Sequence, residues 1–154
     1  MTNEDLAKIQ GFNQHSFRAR TISLLFAVGK KESFARKLDK ACCEAAQAIK
    51  EGYTFVILSD RGVDKKHAAI PALLACGAVH HYLVEIAQRT QIGLIVESAE
   101  PREVYHFALL FGYGADCINP YLAFEAVKLI SQEEGNKIDT GNATHNYIKA
   151  INKG

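Results

Sequence analysis

The chain has 154 residues, 48% hydrophobic and 23% charged, a composition that suits one soluble domain able to bury a core without staples. Lysine and arginine number 18 against 17 aspartates and glutamates, a balance that leaves no electrostatic footprint for nucleic acid or an anionic membrane. No apolar run reaches the roughly 20 residues a membrane helix needs.

The opening MTNEDLAKIQ is polar and capped, unlike a signal peptide. Thr2-Asn3-Glu4-Asp5 has capping-box spacing and predicts a short helix to about Ile9. Thr21 to Val28 (TISLLFAV), rich in β-branched and large apolar residues, reads as a buried strand. Residues 32–51 carry helical periodicity in Phe34, Leu38, Ala41, Ala45, Ala48 and Ile49, and Gly52 stops them. Tyr53 to Leu58 (YTFVIL) is nearly continuous in apolar residues, as a strand covered on both faces should be. Pro71 then starts a helix whose Ala72, Ala75, Val79, Leu83 and Ile86 share one stripe.

Ile92 to Val96 is a further short strand, and Pro101 starts a helix with Val104, Phe107, Ala108 and Phe111 at inward spacing. Gly112 and Gly114 end it, Ala115 to Ile118 reads as a strand, and Pro120 to about Gln132 is amphipathic. The tract Lys128 to Lys137 reads as a solvated surface with a turn. The chain restarts at Asp139-Thr140 with a helix carrying Ala143, Tyr147 and Ile151, which has no following segment to bury them on and looks cut.

Strand and helix thus alternate four times, which predicts an α/β fold with a four-stranded parallel βα-repeat resembling half of a β/α barrel. A small open doubly wound sheet is the alternative. Residues 1–137 form the α/β unit in this reading, and 138–154 a terminal helix.

In parallel α/β proteins ligands gather at the carboxyl ends of the strands. Those ends carry Ser59, Asp60 and Arg61, then Glu97, Ser98 and Glu100, then Asn119, with His67 as an acid or base in the loop between. The same residues also make sense as scaffold, with Ser59 and Asp60 capping turn N–H groups and Arg61 paired to a carboxylate. No nucleophile, metal cluster or phosphate loop stands beside them, so the scaffold reading is preferred. His80 and His81 project about 100° apart on a helix and cannot chelate one metal from one face. His80 falls at the edge of the apolar stripe and His81 on the solvent side. Gly62, Gly112 and Gly114 match neither the dinucleotide nor the P-loop spacing. Cys42, Cys43, Cys76 and Cys117 contain no C-x-x-C pair and read as reduced thiols of a cytoplasmic protein.

LSDRGVDKKHAAIPALLACGAVHHYLV, followed by TQIGLIVESAEPREVYHFALLFGYGADCINPYLAFEAV, resembles the central domain of the glutamate synthase large chain. The similarity runs from TNEDLAKI to NYIKAINKG, with Ala69 standing where proline is common before Ile70-Pro71. The resemblance implies the later part of that central domain, between a glutaminase domain and an FMN-binding synthase barrel with a 3Fe-4S cluster. The whole enzyme makes two glutamates from glutamine and 2-oxoglutarate, passing ammonia internally. Neither the amino-terminal nucleophilic cysteine, the flavin site nor the cluster cysteines of that family match residues here. No catalytic, cofactor-binding or metal residue is therefore carried over, and the chain is expected to hold no cofactor of its own.

A looser similarity links IGLIVESAEPREVYHFALLFGYGADCIN to flavin-dependent β/α barrels, which place glycines after the strand so that backbone N–H groups reach a phosphate. Here Glu97-Ser98-Ala99-Glu100 stands in that place, and a carboxylate beside a phosphate costs about 4 kcal/mol per close unit pair at an effective dielectric near 20. The expected function is a structural module joining the remaining domains of glutamate synthase and lining the ammonia route. The alternative is an independent half-barrel enzyme or small-molecule binder that uses the strand-end rim. Either way, the open sheet edges predict association with further domains or with a second copy.

Overall fold

A computed structural model of the chain describes residues 1–14, 17–29, 33–133 and 138–154. The predicted helix start at residue 32 and residues 134–137 of the tract read as a solvated surface lie outside them. Helix α1 (Asn3–Gly11) opens with Thr2 and Asp5 in a reciprocal capping box. It is followed by β1 (Asn13–Gln14), β2 (Phe17–Ser23), β3 (Leu25–Ala27) and α2 (Ser33–Lys50). Then come β4 (Phe55–Ser59), β5 (His67–Ala69), α3 (Ala72–Glu85) and β6 (Gly93–Glu97). The chain closes with α4 (Val104–Gly112), β7 (Cys117–Asn119), α5 (Tyr121–Ser131) and α6 (Thr140–Lys153).

The main sheet has the order β1-β2-β4-β6-β7, with β2, β4, β6 and β7 parallel and β1 antiparallel at the β2 edge. Parallel strands that neighbour one another in chain order give the half-barrel arrangement. A doubly wound sheet would reverse order at a switch point, and none occurs among the described residues. One face carries Ile22, Val56, Leu58, Leu94, Val96 and Ile118 under the buried residues of α2, α3 and α4. The other face carries Ile57, Ile95 and Cys117 and is covered by Leu6 and Ile9 of α1. In a closed barrel that second face would line the interior. Here α1 lies on it, fastened where Met1 N donates to Ile118 O at 3.2 Å.

The stretch Thr21 to Val28 is two strands rather than one. Leu24 N donates to Ser59 O at 2.8 Å and Leu24 O accepts from Ile70 N at 3.0 Å, which pins Leu24 at no exposure and turns the chain out of the sheet. Beyond it β3 pairs antiparallel with β5, from Leu25 opposite Ala69 to Ala27 opposite His67. Strand β2 also starts earlier, at Phe17, with Arg20 paired to Glu51 at 2.6 Å and Arg18 4.2 Å from the Tyr53 ring centre. Among the described residues strand β1 pairs only with Phe17 and Arg18, so from Ala19 onward β2 has a neighbour on one side, β4.

Pro101 does not start α4. The helix begins at Val104, and the Arg102 and Glu103 N–H groups donate to His106 Nδ1 at 3.3 and 3.2 Å. In α4 the inward residues are Phe107 and Leu110, while Ala108 and Phe111 are exposed. Val104 to Phe111 is apolar on every side but for His106, so periodicity does not single out a face. In α3, Cys76 joins the buried stripe and Ile86, at the helix end, is exposed. Helix α6, capped by Asp139 to Gly141 N at 3.0 Å, folds back on α4 and α5. Its Tyr147 meets Phe124 edge to face at 5.8 Å, and Ile151 packs on the main core.

Candidate functional site

Strand register sets the geometry of the rim. Ser59 lies beside Glu97, and Glu97 beside Asn119, at the carboxyl ends of β4, β6 and β7. Side chains alternate along a strand, so these three share a face with Ile57, Ile95 and Cys117 two residues earlier. They form a polar layer above an apolar one, on the face that α1 covers. Each is at least nine-tenths buried: Ser59 5%, Glu97 3% and Asn119 0% exposed.

The next residues, Asp60 and Ser98, leave the sheet yet stay buried, at 3% and 0% exposure. The Asp60 carboxylate accepts from Ser98 Oγ at 2.6 Å and from Ala99 N at 3.0 Å. Ser98 Oγ in turn accepts from Glu100 N at 3.1 Å, and Ser98 N donates to Asn119 O at 3.0 Å. Arg61 pairs with Glu97 and lays its guanidinium 4.0 Å from the Tyr121 ring centre. Glu100 turns away and caps α3, accepting from Ala72 N at 3.0 Å, where the helix dipole favours a carboxylate. Asn119 Nδ2 donates to Met1 O and Asn3 Oδ1 at 3.2 and 2.9 Å, tying α1 to the rim. Its Oδ1 is buried with no partner among the described residues.

Ser59, Asp60, Arg61, Glu97, Ser98 and Asn119 thus come together, and Glu100 borders them through Ser98. His67 does not join them. It lies half exposed on the β3–β5 ribbon with Nδ1 3.0 Å from Asp64 Oδ1. The Lys66 and His67 N–H groups, with the His67 ring, hold the Asp64 carboxyl below its ordinary pKa. His80 Nδ1 accepts from Arg89 Nε at 3.0 Å, and His81 is exposed, so the two rings serve different surroundings.

Tyr121 was not among the residues singled out from the sequence. Burial, then the hydrogen bond and charge of Asp60, push its hydroxyl above the ordinary tyrosine range. Its position carried a signal: Asn119 is in register with Ser59 through Glu97, so Tyr121 is the β7 counterpart of Arg61. The rim is therefore a hydrogen-bond network whose one unpartnered buried side-chain atom among the described residues is Asn119 Oδ1. The backbone N–H groups of its β6 loop, those of Ala99 and Glu100, are already engaged by Asp60 and Ser98.

Among the described residues no three His, Cys, Asp or Glu side chains converge in a way that could hold a metal, and all four cysteines are free. No helix among those residues is long and apolar enough to cross a membrane.

Comparison with known proteins covers the whole chain. The family model described as the glutamate synthase central domain matches residues 1–154. The chain is 42% identical over 123 residues to a glutamate synthase [NADH] of Schizosaccharomyces pombe, covering 79% of this chain and 6% of that protein. It is 37% identical over 153 residues to a glutamate synthase [NADPH] large chain of Bacillus subtilis, covering 99% of this chain and 9% of that one. A ferredoxin-dependent glutamate synthase of Pyropia yezoensis is 36% identical over 135 residues, 80% of this chain and 9% of its own. The chain therefore spans less than a tenth of the length of these relatives. It belongs to the glutamate synthase central domain family.

Proposed function

We propose that the chain serves as a non-catalytic module of a glutamate synthase large chain. It holds glutaminase and FMN-synthase domains in register and lines part of the route by which ammonia passes between them. The reaction itself, from glutamine and 2-oxoglutarate to two glutamates, and its FMN and 3Fe-4S cluster, belong to those other domains. Residues 138–154 act as the lead toward the synthase domain, and the short terminal strand β7 offers the sheet edge to a neighbour. Four free thiols suit a reducing cytoplasm.

The observation that carries this reading is the saturation of the β6 loop. In a flavin barrel the N–H groups after this strand would face the cofactor phosphate. Here those of Ala99 and Glu100 are bound by Asp60 and Ser98, with Glu97 and Glu100 close by. These residues do not fit a phosphate. Calorimetric titration of FMN into the purified chain tests the point, together with an assay for glutamine hydrolysis. Neither saturable flavin binding nor turnover is expected, and stoichiometric tight binding or robust hydrolysis would overturn the proposal.

A further inference from the structure

The loop between β6 and α4 touches three other parts of the fold before it enters its helix. At its start Ala99 N donates to Asp60 and Glu100 N to Ser98, both in the rim. The Glu100 carboxylate caps α3 at Ala72 N, and Arg102 O accepts from the Tyr147 hydroxyl of α6 at 3.2 Å. The end of the loop is held by one atom. Arg102 N and Glu103 N both donate to Nδ1 of His106, at 3.3 and 3.2 Å.

Glu103 is the N-cap of α4 and His106 the third helical residue, the place a capping box gives to Glu or Gln. A Gln oxygen accepts at any pH, whereas an imidazole nitrogen accepts only while it carries no proton. With Nδ1 accepting, the neutral ring keeps its proton on Nε2. A second proton goes to Nδ1 and turns the shared acceptor into a donor that faces two N–H groups. We propose that His106 is a proton-operated latch: neutral, it pins the end of the β6–α4 loop to the first turn of α4, and protonated, it releases it.

The surroundings of the ring fit both states. It shares a notch of about 60 Å³ with Leu73 of α3, with Pro101, Leu109 and Leu110, and with Glu100. The apolar side chains and the positive end of α4 favour the neutral ring, as does the charge of neighbouring Arg102. The carboxylates of Glu100 and Glu103 favour the imidazolium. On α4 itself the Tyr105 ring lies 4.3 Å from the imidazole, centre to centre. On α6, Tyr147 is engaged with Arg102 O, and α3 brings only the uncharged Leu73 to the notch. Arg102 and Glu103 are exposed, so water takes over their N–H groups and the fold survives release. Because Arg102 O is the acceptor of Tyr147, the release reaches α6. The latch stands on this geometry and not on the domain-linking role.

Amide exchange at single residues, followed by NMR between about pH 7.5 and 5.5 and taken relative to the intrinsic rate at each pH, reads the latch. Protection of the Arg102 and Glu103 amides should fall about tenfold across that interval, the size of one hydrogen bond. His106→Gln keeps an acceptor and does not titrate, so its protection should stay level. His106→Ala should leave both amides unprotected throughout. The other histidines are the same in all three chains, so a difference among them belongs to His106. Unchanged protection in β4 and β6 establishes that each variant is folded. Level protection in the unsubstituted chain would overturn the proposal, as would a fall of the same steepness in His106→Gln.

Discussion

Gly114 lies so close to His80 that a β-carbon on it would stand 2.0 Å from the imidazole Nδ1. The contact closes a clamp at the amino-terminal end of the sheet. Arg89 donates from Nε to His80, from one terminal nitrogen to Ile92 O at 2.9 Å, and from the other to Gly114 O and Asp116 Oδ2 at 2.6 and 2.9 Å. Gly114 also sits at φ +101°, a left-handed backbone that costs an L-residue about 1–2 kcal/mol. Gly114→Ala meets both obstacles, and a loss of about 3 kcal/mol of folding stability is expected in urea unfolding. Gly112→Ala, where a β-carbon meets nothing within 4 Å, should cost no stability and serves as the control.

The same clamp makes stability depend on pH. Burial lowers the His80 pKa below its ordinary 6.5, the charges of Arg89 and His81 act in the same direction, and Asp116 opposes them. The unfolded chain therefore takes up this proton at a higher pH than the folded one. The contribution of His80 is fully present above about pH 6.5 and is lost as the pH falls from there through the lower folded pKa. Melting temperatures between about pH 7.5 and 5.5 check this against His80→Gln, which retains an acceptor for Arg89 but does not titrate. The wild-type chain should lose more stability over that interval than the variant. Parallel curves would remove His80 as the cause.

At the opposite end of the sheet, Asp60 joins the β4 and β6 loops through Ser98 Oγ and Ala99 N. Asp60→Ala leaves a hydroxyl and an amide buried without an acceptor, a loss of about 3 kcal/mol. Asp60→Asn keeps the shape and one acceptor oxygen and should fall between. Tyr121 supplies a second readout. Its hydroxyl is held up by burial and then by Asp60, so in Asp60→Asn its ionisation should move part of the way back toward ordinary tyrosine in an ultraviolet titration. An unmoved Tyr121 would dissociate the two side chains.

How much of this was legible depends on whether the cause is local. The parallel repeat was readable because YTFVIL and IGLIV are apolar runs bounded by turns, each ending in polar residues that mark a strand end. Those polar residues also pointed to the rim. What they could not show was which groups satisfy one another, because the Asp60 to Ala99 and Arg61 to Glu97 contacts depend on register between strands far apart in the chain. The run from Thr21 to Val28 hid its break, since Leu24 is as apolar inside the turn as it would be inside a strand. Helix α4 hid its orientation for a related reason: an all-round apolar sequence contains no phase. The cover on the inner sheet face was equally silent, because α1 offers little more than Leu6 and Ile9 to announce it.

Cys76 gives a probe of the α3–α4 contact that needs no substitution. Its thiol is pushed up to about 11, chiefly by burial, with Asp116 adding to the effect and Arg89 opposing it. It is also directed at Leu110 O and Tyr113 O, 3.9 and 3.6 Å away. The thiolate is the reactive form, so at about pH 8 the native chain should be alkylated first at exposed Cys43 and only slowly at Cys76. Mass spectrometry of peptides after timed iodoacetamide exposure reads the two rates separately. Labelling of Cys76 requires α4 to lift from α3, so its rate follows the population of that opened form. Gly114→Ala disturbs the turn that ends α4 and should speed labelling of Cys76 while leaving that of Cys43 unchanged. Equal native rates at the two thiols would show that the α3–α4 contact does not shield Cys76.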